Sequence, residues 1–340
     1  MRYAKSAACV IAAGASIALF GAVRMRARRK KLAGQVVVIT GGSRGFGLAL
    51  AREFASLGCR IAICARNRDE LEQARASLAL AASEVIAVTC DISDRDEVAT
   101  MIDAVRRHYG HIDILVNNAG QIMVSPLENL DRADFERAMA VMFWGPLYTT
   151  LAVLPWMKAR GQGRIVNVTS IGGKVSVPHL ASYSCAKAAA VAFSTGLRNE
   201  VQQFGIEVTT IIPGLMRTGS HVNAYFKGNQ VAEASWFGAG ASLPLLSVSA
   251  EHAARLTLKA VCAGKTEAVL GVPAQILVQA QTLFPEWTAE VLRMSNALLP
   301  EGSTEDTMYL GRDLEDRHGS LYRLLTTLGK RAGHRLNQPV

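Results

Sequence analysis

The sequence predicts an α/β protein built on a doubly wound parallel sheet, and three observations carry that prediction. Short β-branched runs alternate with helical patterns from about residue 35 to residue 272. The first run feeds a glycine-rich turn that opens directly into a helix. Half of the 340 residues are apolar, enough for one large α/β core with additions, or for two small domains.

Taken in order, Gln35–Thr40 is a β-branched run of the kind that fits a central parallel strand. It runs into Gly41-Gly42-Ser43-Arg44-Gly45-Phe46-Gly47 and then a helical pattern, Leu48–Leu57, closed by Gly58. Glycines suit that place because the turn is tight and a pyrophosphate must approach the backbone N–H groups at the helix start. Thr40, Gly41, Ser43, Arg44, Gly45, Phe46 and Gly47 are therefore candidate cofactor-binding residues. The second strand, Arg60–Cys64, ends in Ala65-Arg66. An NAD site usually places an acid there for the ribose 2′-hydroxyl, whereas arginine accommodates a 2′-phosphate. Arg44 and Arg66 together predict a clamp for NADP(H); the alternative is that both are solvated loop charges.

A charged helix over Asp69–Ala82 precedes a third strand, Val85–Thr89, which ends in Cys90-Asp91-Ile92. Asp91, with Ile92 beside it, stands where an adenine amino group would be met, although Asp91 could equally cap the next helix. That helix, Glu97–Tyr109, is closed by Gly110. A fourth strand, Ile112–Val116, leads to Asn117-Asn118-Ala119-Gly120, small polar residues suited to a cofactor along the sheet's carboxyl edge.

Further on, Arg164–Ser170 reads as a buried strand ending in hydroxyls, and Tyr183, thirteen residues after Ser170, lies in Ser182–Ala188, S-Y-S-C-A-K-A. On a helix, Tyr183 and Lys187 lie one turn apart on one face. A phenol has a pKa of about 10, and an ammonium within about 4–6 Å favours its phenolate. Tyr183 could thus exchange a proton with a carbonyl oxygen that Ser170 holds. Alone, Y-x-x-x-K reads as a solvated helix face; the upstream strand and serine change that.

The formal charge of +9 is uneven, because six of the eight residues Arg24–Lys31 are basic. No aromatic-interleaved basic patch occurs elsewhere, which argues against nucleic acid. Six scattered cysteines without ligand spacing read as reduced core residues, not metal ligands or disulfides. Ala7–Val23 is a charge-free stretch of seventeen residues, at the lower limit for a bilayer span. A signal peptide competes, but the basic run follows at once where a cleavage site would stand. The expectation is a membrane anchor at residues 7–23 with the catalytic part on the cytoplasmic face, the alternative being a soluble cytoplasmic protein.

Thr40-Gly41-x-x-x-Gly45-x-Gly47, Asn117-Asn118-Ala119-Gly120, Ser170, Tyr183-x-x-x-Lys187 and Pro213-Gly214 occur in order. In these the chain resembles the classical short-chain dehydrogenases/reductases, over roughly residues 34–220. The resemblance implies a Rossmann fold and reversible hydride transfer between NADP(H) and a carbonyl or secondary alcohol. It implies Tyr183 as general acid/base, Lys187 as the group that lowers its pKa and binds the nicotinamide ribose, and Ser170 as the residue orienting the substrate. Asn117, Ala119 and Gly120 would support the cofactor, and Thr218, after Pro213 and Gly214, would bind the carboxamide. The glycine spacing disfavours an epimerase or dehydratase of the extended subgroup. One departure stands out: where the family usually has an asparagine whose backbone carbonyl holds a relay water, this chain has Met142. The competing reading is therefore a slow or inactive NADP(H)-binding sensor or scaffold.

Three regions complete the expected layout: residues 1–31 as anchor and basic flank, 32–272 as the catalytic domain, and 273–340 as a helical extension and polar tail. Within the second, Gly219–Leu246 holds His221, Tyr225, Phe226, Trp236 and Phe237 among glycines, either a mobile lid over an apolar substrate or ordinary packing. His221 is expected to be a polar lid residue. The segments Ile276–Leu283 and Trp287–Leu299 are too short to span a bilayer. A loosely ordered tail with one short helix near Leu321–Leu328 is expected at the end. The substrate class implied by the anchor and the apolar segments is lipid-, steroid- or retinoid-like, and the resemblance implies a homo-oligomer, dimer or tetramer.

Overall fold

The computed structural model describes residues 32–80 and 84–339. The anchor expected at residues 7–23 and its basic flank lie outside the described residues. β1 (Val36–Thr40), β2 (Arg60–Ala65), β3 (Val85–Thr89), β4 (Ile114–Asn117), β6 (Gly163–Val168), β7 (Ile206–Pro213) and β11 (Glu267–Leu270) form one sheet in the order β11-β7-β6-β4-β1-β2-β3. Every pairing in it is parallel. β1 is buried along its whole length, which is why it reads as a continuous apolar run and not an alternating one.

Side chains alternate across the strands, so Val37 and Ile39 face one helix layer while Val36 and Val38 face the other. The first layer holds α1 (Gly45–Ala55), α2 (Arg68–Ala79) and α8 (Ala250–Ala263). The second holds α3 (Arg95–Tyr109), α5 (Gly145–Arg160) and α6 (Ala181–Val201). Strand order reverses between β1 and β4, and a doubly wound sheet opens its ligand cleft at the carboxyl ends there.

Helix starts fall earlier than the apolar periodicity predicts, because caps set them. Asn67 Oδ1 accepts from the Asp69 and Glu70 N–H groups, so α2 begins at Arg68; Asp94 does the same for Asp96 and Glu97 and starts α3 at Arg95. α4 (Arg132–Met139) opens with a capping box between Asp131 and Asp134. A single π turn, Ala140–Trp144, joins α4 to α5. By length and composition residues 132–160 could cross a membrane, but they pack against α3, α6 and the sheet.

Gly219–Leu246, read as a lid or as ordinary packing, is folded and packed on the body. β8 (Leu215–Arg217), β9 (Tyr225–Phe226) and α7 (Gln230–Ser242) bury Phe226 and Phe237 in a small core with Val124 of β5 (Met123–Val124) and Leu314. β8 pairs with β10 (Ser247–Ser249). His221 is 2% exposed, with burial depressing its pKa to about 4, so it is a neutral interior histidine and not a polar lid residue.

The apolar segments after β11 form α9 (Val272–Leu283) and α10 (Pro285–Asn296). The tail departs most from expectation. β12 (Tyr309–Leu310) pairs with β9, and α11 runs for sixteen residues, Ser320–Arg335, against α7. Its buried Tyr322, Thr326, Gly329 and Ala332 sit three to four residues apart, an apolar-to-small stripe hidden in a segment of polar composition. Of the cysteines expected in the core, Cys185 is exposed on α6.

Candidate functional site

Thr40 ends β1, and its hydroxyl ties two turns together. Oγ1 accepts from the Asn118 N–H at 2.9 Å and the Ala119 N–H at 3.1 Å, and donates to the Val116 carbonyl. Asn118 returns the contact, its side-chain amide donating to the Thr40 and Gly41 carbonyls. The glycine turn and the Asn117–Gly120 turn are thus one rigid floor. Sequence reasoning gave Asn117 the supporting role, but the Asn117 side chain points into the interior, accepting from Thr149 and donating to Asn167, while the neighbouring Asn118 does the bridging.

The glycines are required by space. A Cβ on Gly47 would stand 2.0 Å from the Gly41 carbonyl oxygen, and one on Gly41 would stand 2.8 Å from Ala119 Cα. Gly45 stands at φ +58°, and a Cβ on it would meet the Gln338 side-chain nitrogen at 2.9 Å with Thr218 Cβ 4.0 Å away. Gly120 likewise faces Lys187 Nζ at 3.6 Å and Met142 Sδ at 3.8 Å. Gly120 thus leaves room beside Lys187, and its turn adjoins the glycine turn through Thr40 and Ala119, so the residues fit a bound dinucleotide.

At the adenosine end, Arg44 is paired with Glu70 at 2.9 Å, and Ser43 is buried beside the same carboxylate. Arg66 reaches toward Asp91 at 3.9 Å. Asp91 Oδ1 accepts from Ser93 N–H and hydroxyl, the local capping arrangement, and its backbone N–H donates to Glu97. Ile92 is buried against Gly145. The two arginines flank one region, each already holding an acid.

At the other end, Ser170 caps a short turn, its Oγ accepting from the Gly172 N–H at 3.1 Å. Tyr183 and Lys187 lie on α6. Lys187 is 4% exposed, donates to the Val168 carbonyl at 3.0 Å and has Nζ 5.9 Å from the Tyr183 ring centre. Burial lowers its pKa to about 8. The Tyr183 phenol is raised above its usual value by burial, opposed by a hydrogen bond with Ser170. Any depression of the Tyr183 pKa by Lys187 is outweighed by burial in the chain alone, where the ammonium also donates to the Val168 carbonyl. Met142 sits in the π turn, 1% exposed, packed with Ala138, Ala186 and Tyr183. Thr218 is buried and its hydroxyl accepts from the Ser220 N–H, while Pro213 ends β7 and Gly214 packs on Ala274.

One device was missed from sequence. His179, at φ +62°, donates or accepts at 2.8 Å with Glu233 of α7, which is 0% exposed and also accepts from Trp236. The His179 carbonyl accepts from Ser125. The loop between Ser170 and Tyr183 is latched to α7. A lone histidine and glutamate 54 residues apart give no sequence signal.

The profile of the short chain dehydrogenase family matches residues 35–226. A dehydrogenase/reductase SDR family member 7B of Bos taurus is 34% identical over 77% of this chain and 81% of its own length. An 11-beta-hydroxysteroid dehydrogenase 1A of Arabidopsis thaliana is 35% identical over 58% and 57%. Two solved structures align with TM-scores of 0.63 at 28% identity. One is an NAD+-bound xylitol dehydrogenase, covering 71% of this chain and 98% of that one; the other is an L-sorbose reductase of Gluconobacter frateurii with NADPH and L-sorbose, covering 70% and 95%.

Proposed function

The chain belongs to the short-chain dehydrogenase/reductase family of nicotinamide-dependent oxidoreductases, and from that premise we propose that it uses NADP(H) on a carbonyl or secondary alcohol of an apolar molecule. The observation that carries the reading is the turn at Gly120, tied through Ala119 and Thr40 to the glycine turn and open beside Lys187, with Tyr183 and Ser170 next to that lysine. Bound there, the cofactor supplies or accepts hydride at its nicotinamide.

The chain's own groups supply the rest. A buried phenol with a raised pKa is protonated at neutral pH, the state needed to give a proton to a carbonyl oxygen being reduced. The Ser170 hydroxyl, next to that phenol, orients the same oxygen. Lys187, one turn away, stabilises the phenolate left behind, and burial strengthens that attraction. NADP(H) over NAD(H) is supported by Arg44 and Arg66 and by the absence of an acid at Ala65. An apolar substrate is supported by Ile122, Leu180 and Trp236, half-buried around the latched loop, and by the hydroxysteroid named for the Arabidopsis relative.

Tyr183→Phe is expected to abolish NADPH-dependent reduction of apolar ketones and aldehydes while cofactor affinity stays within about twofold. Unchanged turnover removes Tyr183 from the mechanism, and equal turnover with NADH removes the NADP(H) assignment. A sensor is the second reading, favoured by the apolar Met142 at the relay position; tight NADPH binding with no turnover in either direction supports it. Residues 7–23 are proposed as an anchor holding the enzyme on the cytoplasmic face, and release of the full-length protein by carbonate overturns that. Trp144 and Leu151, exposed on the π turn and α5, support a homo-oligomer, which light scattering tests.

A further inference from the structure

The C-terminal residues Leu336, Asn337 and Gln338 return to the glycine turn, at the opposite end of the chain. The Arg335 carbonyl accepts from Arg52 of α1 at 2.9 Å, and the Leu336 carbonyl accepts from the Gly45 N–H at 2.8 Å, with the Leu336 side chain fully buried among the residues of α1. Asn337, at φ +58°, donates from Nδ2 to the Ser43 and Glu70 carbonyls, both at 3.0 Å. Gln338 is 8% exposed, and its Oε1 accepts from Asn223 at 2.6 Å.

We propose that this segment is a wall of the dinucleotide site, in which the Gln338 side-chain amide donates to the cofactor's pyrophosphate and Asn337 holds the turn opposite. The proposal rests on the dinucleotide reading of the site. Gln338 Nε2 lies where a Cβ on Gly45 would meet it at 2.9 Å, on the side from which Thr218 approaches at 4.0 Å, and makes no hydrogen bond to a described residue. With Oε1 held by Asn223, Nε2 keeps its donors for solvent or a ligand. The Gly45 N–H is already taken by the Leu336 carbonyl, so an anion bound at the glycine turn must draw on other donors, and Nε2 is placed to be one. The neighbouring fit reinforces this: Gly219 and Gly333 meet backbone to backbone, where a Cβ on Gly219 would stand 2.5 Å from Gly333 Cα, so α11 is seated on the strand-to-loop corner that carries Thr218.

The test uses the full chain, Gln338→Ala and Gln338→Glu, each checked by thermal denaturation without ligand. Affinities for NADPH and NADH are measured by fluorescence titration, NADPH dissociation by stopped-flow chase, and adenosine 2′-monophosphate serves as a probe that lacks the pyrophosphate. Gln338→Ala is expected to weaken dinucleotide binding about tenfold, chiefly through faster dissociation, with the adenosine 2′-monophosphate affinity within about twofold of wild type. Gln338→Glu, which sets a carboxylate against the phosphates, is expected to weaken it further, with a loss that shrinks as salt is raised. Unchanged or tighter NADPH binding by Gln338→Ala overturns the proposal, as does an equal loss for the probe, which marks a general disturbance of the turn. If the wild-type protein binds neither dinucleotide, the reading of the whole site falls; if it binds but the variants match it, only the role of the tail falls.

Discussion

Replacing Thr40 by valine tests the link between the sheet and the cofactor floor. The two side chains have nearly the same shape, and Thr40 is 1% exposed, so the change removes a hydroxyl without opening a cavity. The Asn118 and Ala119 N–H groups then lose their acceptor, and the Val116 carbonyl loses a donor. Each orphaned donor costs about 1–3 kcal/mol when fully buried. Both residues are half-buried, so water recovers part of that, and the sum is about 2–3 kcal/mol. For a domain of this size about 1 kcal/mol moves Tm by roughly 2 °C, so a fall of about 5 °C is expected. The freed turn carries Gly120, so cofactor affinity is expected to fall several-fold as well. Thr40→Ser, which keeps the oxygen, is the control. Scanning calorimetry with a fluorescence titration of cofactor reads both effects, and a Thr40→Val protein as stable as Thr40→Ser refutes the argument.

Lys187→Met is expected to stabilise the ligand-free protein while ending turnover. Below both pKa values the buried ammonium costs about 3 kcal/mol, from the drop between 10.5 and about 8; losing its bond to Val168 returns about 1, leaving a gain near 2 kcal/mol measurable by denaturant unfolding. His221 ties stability to acid: its pKa is about 4 folded and near 6.5 unfolded, so the unfolded chain takes up a proton first. Stability is therefore complete above pH 6.5 and lost as pH falls toward 4, by about 3 kcal/mol in all, and His221→Gln is expected to flatten that part of an unfolding profile. Glu70→Gln releases Arg44 from its carboxylate and removes an anion beside the adenosine end. The NADPH-to-NADH affinity ratio is expected to rise about fivefold, and an unchanged ratio in paired titrations removes Arg44 from cofactor choice.

The sequence alone marks most strands of the main sheet, but not β7 (Ile206–Pro213), and β4 begins two residues into its apolar run. β1 and β2 fall within a residue of their apolar runs, because a strand buried on both faces must be apolar throughout, and the half-buried edge strand β3 falls on Val85–Thr89 as its β-branched run predicts. The glycine turn, Asn117–Gly120, Ser170 and the Tyr183–Lys187 pair were legible because each is a local pattern fixed by a backbone requirement or by helical spacing. Contacts between distant residues left no such mark. Asn337 on Ser43 joins positions 294 apart, and the Glu233–His179 latch joins positions 54 apart, with nothing in either neighbourhood to announce it. Ionisation followed the same divide: the spacing of Tyr183 and Lys187 predicts a phenol drawn down, yet the burial that only the packed chain creates pushes it up. The tail reads as solvated because its composition is polar; α11 folds onto α7 because four small or aromatic residues happen to fall on one face, and only a partner helix gives that face something to bury.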